Sequence, residues 1–373
     1  MHLETIKTPS LIIDYGRMKR NAERISKRAA ELNVNLRPHV KTHRCLEIAR
    51  LQTANTFGGI MVSTLSEARF FAAGGFSDIT YGVPVERGKF VEAIEISKSV
   101  EKFSLLTDDA ETVKALNEKA KSENARLNVF LKVDVGYHRC GVEPGTKEAF
   151  EIPQLIADST NLDFAGILTH AGHSYHAGEP DELLAVAREE RDKMRELAEA
   201  LRGKGLDVPT VSIGSTPTFS AIDSLEGITE FRCGNYIFFD AFQATLGSCS
   251  FSDCALTVLA AVVHRDAARQ KIVVDAGAVA LSKDRGPVEF DPACGYGRIY
   301  DLEGNESDLR VETLSQEHGE ISVRDEKLFD RLKVGSRVRI LANHSCLTAL
   351  QHSHYYVLDE GKLIDRWEIN RGW

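Results

Sequence analysis

Apolar residues recur at four-three spacing through Tyr15–Leu32, placing Met18, Ala22, Ile25, Ala29 and Leu32 on one side of an amphipathic helix. Val34–Val40 then reads as a short strand. From there the pattern alternates, with strand-like runs at Gly58–Thr64, Asp78–Pro84, Lys102–Asp108, Leu127–Val135, Phe164–His170, Thr210–Gly214 and Thr229–Tyr236. Helical stretches lie between most of them. The best defined are Thr64–Ala73, opened by a T-x-x-E capping box (Thr64, Glu67), Ala110–Ser122, and Asp181–Leu201, followed by Gly203 and Gly205. Eight strands alternating with helices over roughly 230 residues predict an α/β fold, a (β/α)₈ TIM barrel in preference to a doubly wound open sheet.

Beyond residue 250 the helical period fades. Ala255–Val263, Lys271–Val274, Arg337–Leu341 and Tyr355–Leu358 read as strands, Asp359–Lys362 as a hairpin turn, and Glu326–Leu332 as one short helix. A mostly-β C-terminal domain is therefore expected, and Ser10–Ile13 is free to add a strand to it. The predicted division is a barrel over 14–248 and a β domain from 1–13 and 249–373.

Composition narrows the class. The 373 residues carry 46 basic and 55 acidic side chains, a formal charge of −9, with no basic block, so nucleic acid is not the expected partner. The longest apolar run is far too short to span a bilayer, and MHLETIKTPS has no apolar core of a secretory signal. The seven cysteines include no CxxC pair, so neither a disulfide framework nor a zinc ribbon is expected. These features imply a soluble cytoplasmic enzyme.

The polar residues collect where barrel chemistry sits, at the ends of strands. The first strand ends in Arg37-Pro38-His39-Val40-Lys41-Thr42-His43 and the fifth runs into Asp134–Gly141, which contains Tyr137, His138 and Arg139. The sixth ends in Thr169-His170-Ala171-Gly172-His173-Ser174-Tyr175, the seventh in Gly214-Ser215-Thr216-Pro217-Thr218, and the eighth in Arg232-Cys233-Gly234-Asn235-Tyr236. The strand interiors read as apolar. A lysine directly after an apolar strand, as Lys41 is, would have a partly desolvated amine and so be a usable nucleophile, although a solvated loop lysine fits the same string. His39 and His43 are expected to make its surroundings positive. Small residues at 214–216 and 234–236 suit a phosphate cradle of backbone N–H groups, with the Ser215 and Thr216 hydroxyls as further donors. A lysine at one strand and a phosphate cradle at two others suggest pyridoxal 5'-phosphate. In the β domain, His344 and Cys346 of Asn343-His344-Ser345-Cys346 are expected on one face at a strand end, able to share a single divalent ion such as zinc, although a polar loop with a buried cysteine fits the same string. His352 and His354 read as surface or strand residues, and Gln316 and His318 as a polar loop that either supports the site or is a solvated turn.

The string Arg37-Pro38-His39-Val40-Lys41-Thr42 resembles the cofactor-lysine motif of fold-type III pyridoxal-phosphate enzymes of the alanine racemase N-terminal type, more narrowly the D-serine dehydratase and D-threonine aldolase family. The resemblance continues in order through TPSLIID (8–14), VSTLSEA (62–68), THAG (169–172), GSTPT (214–218), VDAG (274–277), QEHG (316–319), NHSC (343–346) and the terminal Gly372-Trp373. The His-x-Cys pair and GSTPT look more like the D-serine and D-threo-3-hydroxyaspartate dehydratases than the aldolases.

The resemblance implies that Lys41 forms the Schiff base with the cofactor and that Arg139 faces its pyridine nitrogen. It places His170 and Tyr175 near the ring, gives the phosphate to Gly214, Ser215, Thr216, Gly234, Asn235 and Tyr236, and gives a zinc-like ion to His344 and Cys346. It also implies a homodimer acting on a small D-amino acid. The expected activity is β-elimination of a D-3-hydroxy amino acid to a 2-oxo acid and ammonia, with Lys41 and His170 as the catalytic residues. Retro-aldol cleavage to glycine and an aldehyde is the alternative, with His170 or the nearby His173 as the candidate base. An amino-acid racemase or a non-catalytic carrier of pyridoxal phosphate stands behind it.

Overall fold

A computed structural model describes residues 3–372; the Trp373 of the terminal string lies outside the described residues. Two compact units are present. One comprises the N-terminal residues through Glu23 with Asn235–Arg371, the other Arg24–Gly234 with Gly372.

The second unit is the expected parallel barrel. Its eight strands run in the order Asn35–Leu36, Glu230–Phe231, Val211–Ile213, Leu162–Leu168, Leu127–Lys132, Lys102–Thr107, Asp78–Tyr81 and Ile60–Val62. The two ends of this sheet are joined by a single parallel bridge between His39 and Met61, where the Met61 N–H donates to the Pro38 carbonyl at 2.9 Å. The first strand is shorter than its apolar run because Pro38 has no N–H to give to a ladder. The intervening helices follow the sequence signals. Ala110–Ser122 is capped by Asp109, whose carboxylate accepts the Thr112 N–H at 2.7 Å. The capping box at Leu65–Ala73 forms only in part: Thr64 accepts the Glu67 N–H, while the Glu67 carboxylate accepts from Ser63 and pairs with Arg44 at 2.9 Å. The long helix Pro180–Gly203 buries Leu183, Ala187, Met194, Leu197, Ala198 and Leu201 at helical spacing, and one carboxylate among them, Glu190.

The barrel interior departs from the apolar expectation. Met61, Leu106, Phe130, Ala165 and Leu168 form an apolar cluster, but a charged chain lies beside it. Arg37, 2% exposed, donates to Glu230 and Asp78, each at 2.7 Å; Ser212 donates to Glu230 at 2.6 Å, and Arg232 donates to Ser212 at 2.8 Å and to the Thr169 carbonyl. Asp78 and Glu230 are the first residues of their strands, so Arg37 points to the N-terminal end of the barrel, away from the mouth where the sequence reading put it. Charges survive there because each has a partner.

In the first unit, Ser10–Asp14 is the expected extra strand. It pairs antiparallel with Leu256–Asp266 and parallel with His354–Asp359. Across the same sheet lie Lys362–Glu368 on one side, and Arg337–Leu341, Arg298–Tyr300 and Glu306–Arg310 on the other. A bulge at Val262/His264 turns Leu256–Asp266 toward Lys271–Val274, which pairs with Gly319–Ser322. The predicted hairpin closes at Asp359 and Lys362, with Glu360 and Gly361 both at positive φ (48° and 75°), as a two-residue turn of this hand requires. Among the described residues no helix is long and apolar enough to cross a membrane.

Candidate active site

The barrel mouth assembles from the ends of strands one, five, six, seven and eight. After the first strand the chain turns through the short helical turn Val40–Thr42; Val40 and Thr42 are buried and Lys41 is exposed. Lys41 is thus less desolvated than expected, although its ammonium lies close enough to His39 and His170 to help lower the pKa of both. The expected positive surroundings also need correction. His43 is buried between Gln52, which accepts from its Nε2 at 2.9 Å, and the Cys45 N–H, which donates to its Nδ1 at 3.1 Å. Burial pushes its pKa down to about 3, so it is neutral. His39 is likewise held well below the ordinary histidine range by burial and by Lys41, Arg232 and His170 around it.

The desolvated lysine is Lys132, the last residue of the fifth strand. It is 5% exposed, and burial with Arg232 and Arg139 nearby pushes its pKa down to about 8. The sequence reading passed over it, although LNVFLK carries the same signal that singled out Lys41. Beyond it the loop is rigid: Asp134 Oδ1 accepts the N–H groups of Gly136 and Tyr137 at 2.9 Å and His138 at 3.1 Å. Burial works against this carboxylate, but those donors hold its pKa below the usual range. Arg139 is exposed, its guanidinium 5.0 Å from the Tyr137 ring centre, and Tyr137 meets His170 edge-on at 6.1 Å.

His170 is fixed by the next strand. Its Nδ1 lies 3.0 Å from the Gly214 carbonyl, which can only accept, so Nδ1 carries the hydrogen and Nε2 keeps a lone pair. Burial keeps the ring well below its ordinary pKa, and Lys41 and Lys132 add to the effect. Neutral at physiological pH, it can take up a proton. His173 and Tyr175 are half-buried in the following turn, Gly172–His176.

At the seventh strand end, Gly214 sits at φ 131°, and a Cβ there would lie 2.6 Å from the Arg232 carbonyl. A Cβ on Gly234 would come within 2.4 Å of the His39 carbonyl, so this glycine lets strand eight close against strand one. The hydroxyl expected from Ser215 is already engaged: it caps the helix Thr216–Ala221 by accepting the Thr218 N–H at 3.2 Å, and it meets Ser174 at 3.0 Å. The Ser215 backbone N–H is engaged as well, donating to Thr218 Oγ1 at 3.1 Å to complete the capping box. The two glycines permit a close approach of strand ends that any side chain would block, and an exposed primary amine stands on the same barrel end; small residues and an amine so placed fit a phosphorylated aldehyde cofactor.

The first unit holds the remaining predicted residues. Tyr236 is fully buried, and Asn235 turns its amide to Asp240 at 2.6 Å and Ser345 at 3.1 Å. His344 and Cys346 are not side by side on a strand, as expected. Arg337–Leu341 ends earlier, and His344 is the N-cap of the short helix Ser345–Ala349, whose first turn brings Cys346 back toward it. His344 Nδ1 bonds Asp284 Oδ2 at 2.6 Å, which leaves Nε2 for a metal, the carboxylate–histidine arrangement typical of such ligands. Burial works to lower the His344 pKa, but the hydrogen bonds to Asp284 and Cys346 hold it well above the ordinary range. An imidazole so oriented beside a thiol suits zinc or a similar ion. Asp284 was not singled out from the sequence, and nothing local in Lys283-Asp284-Arg285 marks it. Gln316, Glu317 and His318 form an exposed turn; His352 donates to the Ala280 carbonyl at 3.0 Å, and His354 begins a strand.

Comparison with known proteins matches residues 13–241 to the alanine racemase N-terminal domain and 255–358 to a putative serine dehydratase domain. The chain is 37% identical to a D-threo-3-hydroxyaspartate dehydratase of Delftia sp. (strain HT23), over 100% of this chain and 99% of that one. The solved structure of that enzyme superposes with a TM-score of 0.96 at 36% identity, covering 100% of both chains. A D-serine dehydratase of Dictyostelium discoideum is 34% identical, over 100% of this chain and 98% of the relative. A D-threonine aldolase of an Arthrobacter species is 29% identical, over 99% and 93%.

Proposed function

This chain belongs to the alanine racemase-like family of pyridoxal-phosphate enzymes that includes the D-serine and D-threo-3-hydroxyaspartate dehydratases, and on that footing we propose that it is a metal-dependent lyase acting on a D-3-hydroxy amino acid. The reaction removes the α-proton and the β-hydroxyl, and hydrolysis of the resulting enamine gives a 2-oxo acid and ammonia without net oxidation or reduction. The observation that carries this reading is His344, oriented by Asp284 beside Cys346. Solved variants of a D-threo-3-hydroxyaspartate dehydratase replace a histidine and a cysteine two positions apart, and the cysteine variant is described as the metal-free form, which supports the pair here as metal ligands.

Lys41 would bind the cofactor through Nζ, Gly214, Ser215, Thr216, Gly234, Asn235 and Tyr236 would hold its phosphate, and Arg139, His170 and Tyr175 would line its ring. When bound, pyridoxal phosphate supplies an electron sink for the carbanion at Cα, and the divalent ion a Lewis acid for the leaving hydroxyl. Lys41 Nζ would also be the base placed to take the α-proton. His170 keeps its Nε2 lone pair because the Gly214 carbonyl fixes the tautomer. The proposal includes a cofactor domain over 14–248, a metal-bearing β domain over the rest, zinc as the ion, a homodimer and a cytoplasmic setting, all carried over from the sequence reading.

The His170 Nε2 lone pair also suits removal of a proton from the β-hydroxyl, which supports aldol cleavage as the second reading. Incubating the cofactor- and zinc-loaded protein with D-serine, D-threonine and D-threo-3-hydroxyaspartate separates the two. Release of 2-oxo acid and ammonia, abolished by a chelator, supports the dehydratase; glycine and an aldehyde replace it with the aldolase.

A further inference from the structure

A carboxylate outside the residues assigned above touches both loops that carry His170 and the phosphate cradle. Glu190 projects from the long helix Pro180–Gly203 and is 1% exposed. Its Oε1 accepts the Ala171 N–H at 3.1 Å and the Gly214 N–H at 3.0 Å. These two amides belong to the ends of the sixth and seventh strands. The Gly214 carbonyl in turn takes the His170 Nδ1 hydrogen at 3.0 Å. One oxygen thus joins the residue after His170 to the glycine that both opens the cradle and fixes the His170 tautomer.

Helix packing does not account for this placement. The neighbours of Glu190 on its buried face are Ala187, Met194 and Leu197, which offer a carboxyl no polar partner, so its burial has to be offset by bonds such as those to the two loop amides. Burial raises its pKa, and the Gly214 and Ala171 amides and Arg232 oppose that rise. We propose that Glu190 is a positioning residue: by clasping Ala171 and Gly214 on a single oxygen, it holds the His170 ring and the phosphate cradle in register with each other. The inference rests on the reading of the barrel mouth as the pyridoxal-phosphate site.

The clasp needs an acceptor at the Oε1 position and does not need a charge. Glu190→Gln keeps the acceptor, Glu190→Asp shortens the reach by one methylene, and Glu190→Met fills the space with no acceptor. Each apoprotein is titrated with pyridoxal phosphate by absorbance and protein fluorescence, and the reconstituted enzymes are assayed for kcat and KM. The expected result is Glu190→Gln within about threefold of the parent in cofactor Kd. Glu190→Asp and Glu190→Met should bind it at least about tenfold more weakly, with kcat falling more than KM rises. Asp and Met variants that melt lower but bind the cofactor with parental affinity would show a purely structural carboxylate and overturn the proposal. If Glu190→Met does not fold, the Asp variant decides alone. A parent protein that itself fails to bind pyridoxal phosphate removes the reading of the mouth and this inference with it, an outcome told apart by the parent titration.

Discussion

Replacing Glu230 by leucine tests whether the charged chain in the barrel is a paired structure. Glu230 accepts from Arg37 at 2.7 Å and from Ser212 at 2.6 Å, and through Ser212 it is linked to Arg232. In Glu230→Leu, Arg37 keeps only Asp78 as a charged partner, although it remains almost wholly buried. Breaking one side of a buried pair costs about 3–5 kcal/mol. Each kcal/mol moves the melting temperature of a unit of this size by about 2–4 °C, so the fall should lie between roughly 6 and 20 °C. Urea unfolding and calorimetry of parent and variant measure it. The double variant Arg37→Met/Glu230→Leu removes the two deeply buried charges, leaves only Asp78, which is partly exposed to water, and should recover most of the loss, since apolar replacement of a buried pair is often neutral. A single-variant loss below about 1 kcal/mol, or a double variant no better than the single, would refute the argument that pairing is what sustains these charges.

His43 should set part of the acid limb of stability. Its folded pKa of about 3 lies below the ordinary 6.5, so its contribution is complete above pH 6.5 and is lost as pH falls toward 3. The stability gap between parent and His43→Asn should therefore shrink by about 2 kcal/mol from pH 6.5 to 5, and a pH-independent gap in urea unfolding contradicts this. Gly234→Ala forces a Cβ to within 2.4 Å of the His39 carbonyl and should cost more than about 1–3 kcal/mol with loss of cofactor binding, followed by melting and absorbance titration. Asp284→Asn removes the carboxylate that orients His344 and should weaken zinc about 10–100-fold in competition with a chromophoric chelator; unchanged affinity would detach Asp284 from the metal pair.

The strands were legible because each is a short apolar run bounded by turn residues, and the helix Ala110–Ser122 was found residue for residue. Less legible was everything decided by direction. Alternation along a strand does not say which end of a barrel a long side chain reaches, so Arg37 was read into the mouth and Lys41 into a desolvated setting. Lys132 carries the burial expected of Lys41, and both end an apolar run; only the turn Val40–Thr42 separates the outcomes. Glu190 and Asp284 escaped notice because their partners lie 19 or more positions away in the chain, Ala171 and Gly214 for one and His344 for the other. His344 and Cys346 were paired from their spacing as neighbours at a strand end, whereas a capping turn brings them together.

The position of Ser10–Asp14 bears on how the chain is made. This strand sits between Leu256–Asp266 and His354–Asp359, so its second partner emerges from the ribosome more than three hundred residues after it. At ordinary synthesis rates that interval is on the order of 20–70 s. The barrel strands, all encoded between Ser10–Asp14 and Leu256–Asp266, are complete before either partner is made. Until Leu256–Asp266 is made, Ser10, Leu11, Ile12 and Ile13, all buried in the finished protein, have no ladder to join. Nascent chains of this protein thus expose a short apolar β-segment through most of translation, a natural substrate for the chaperones that wait at the exit tunnel.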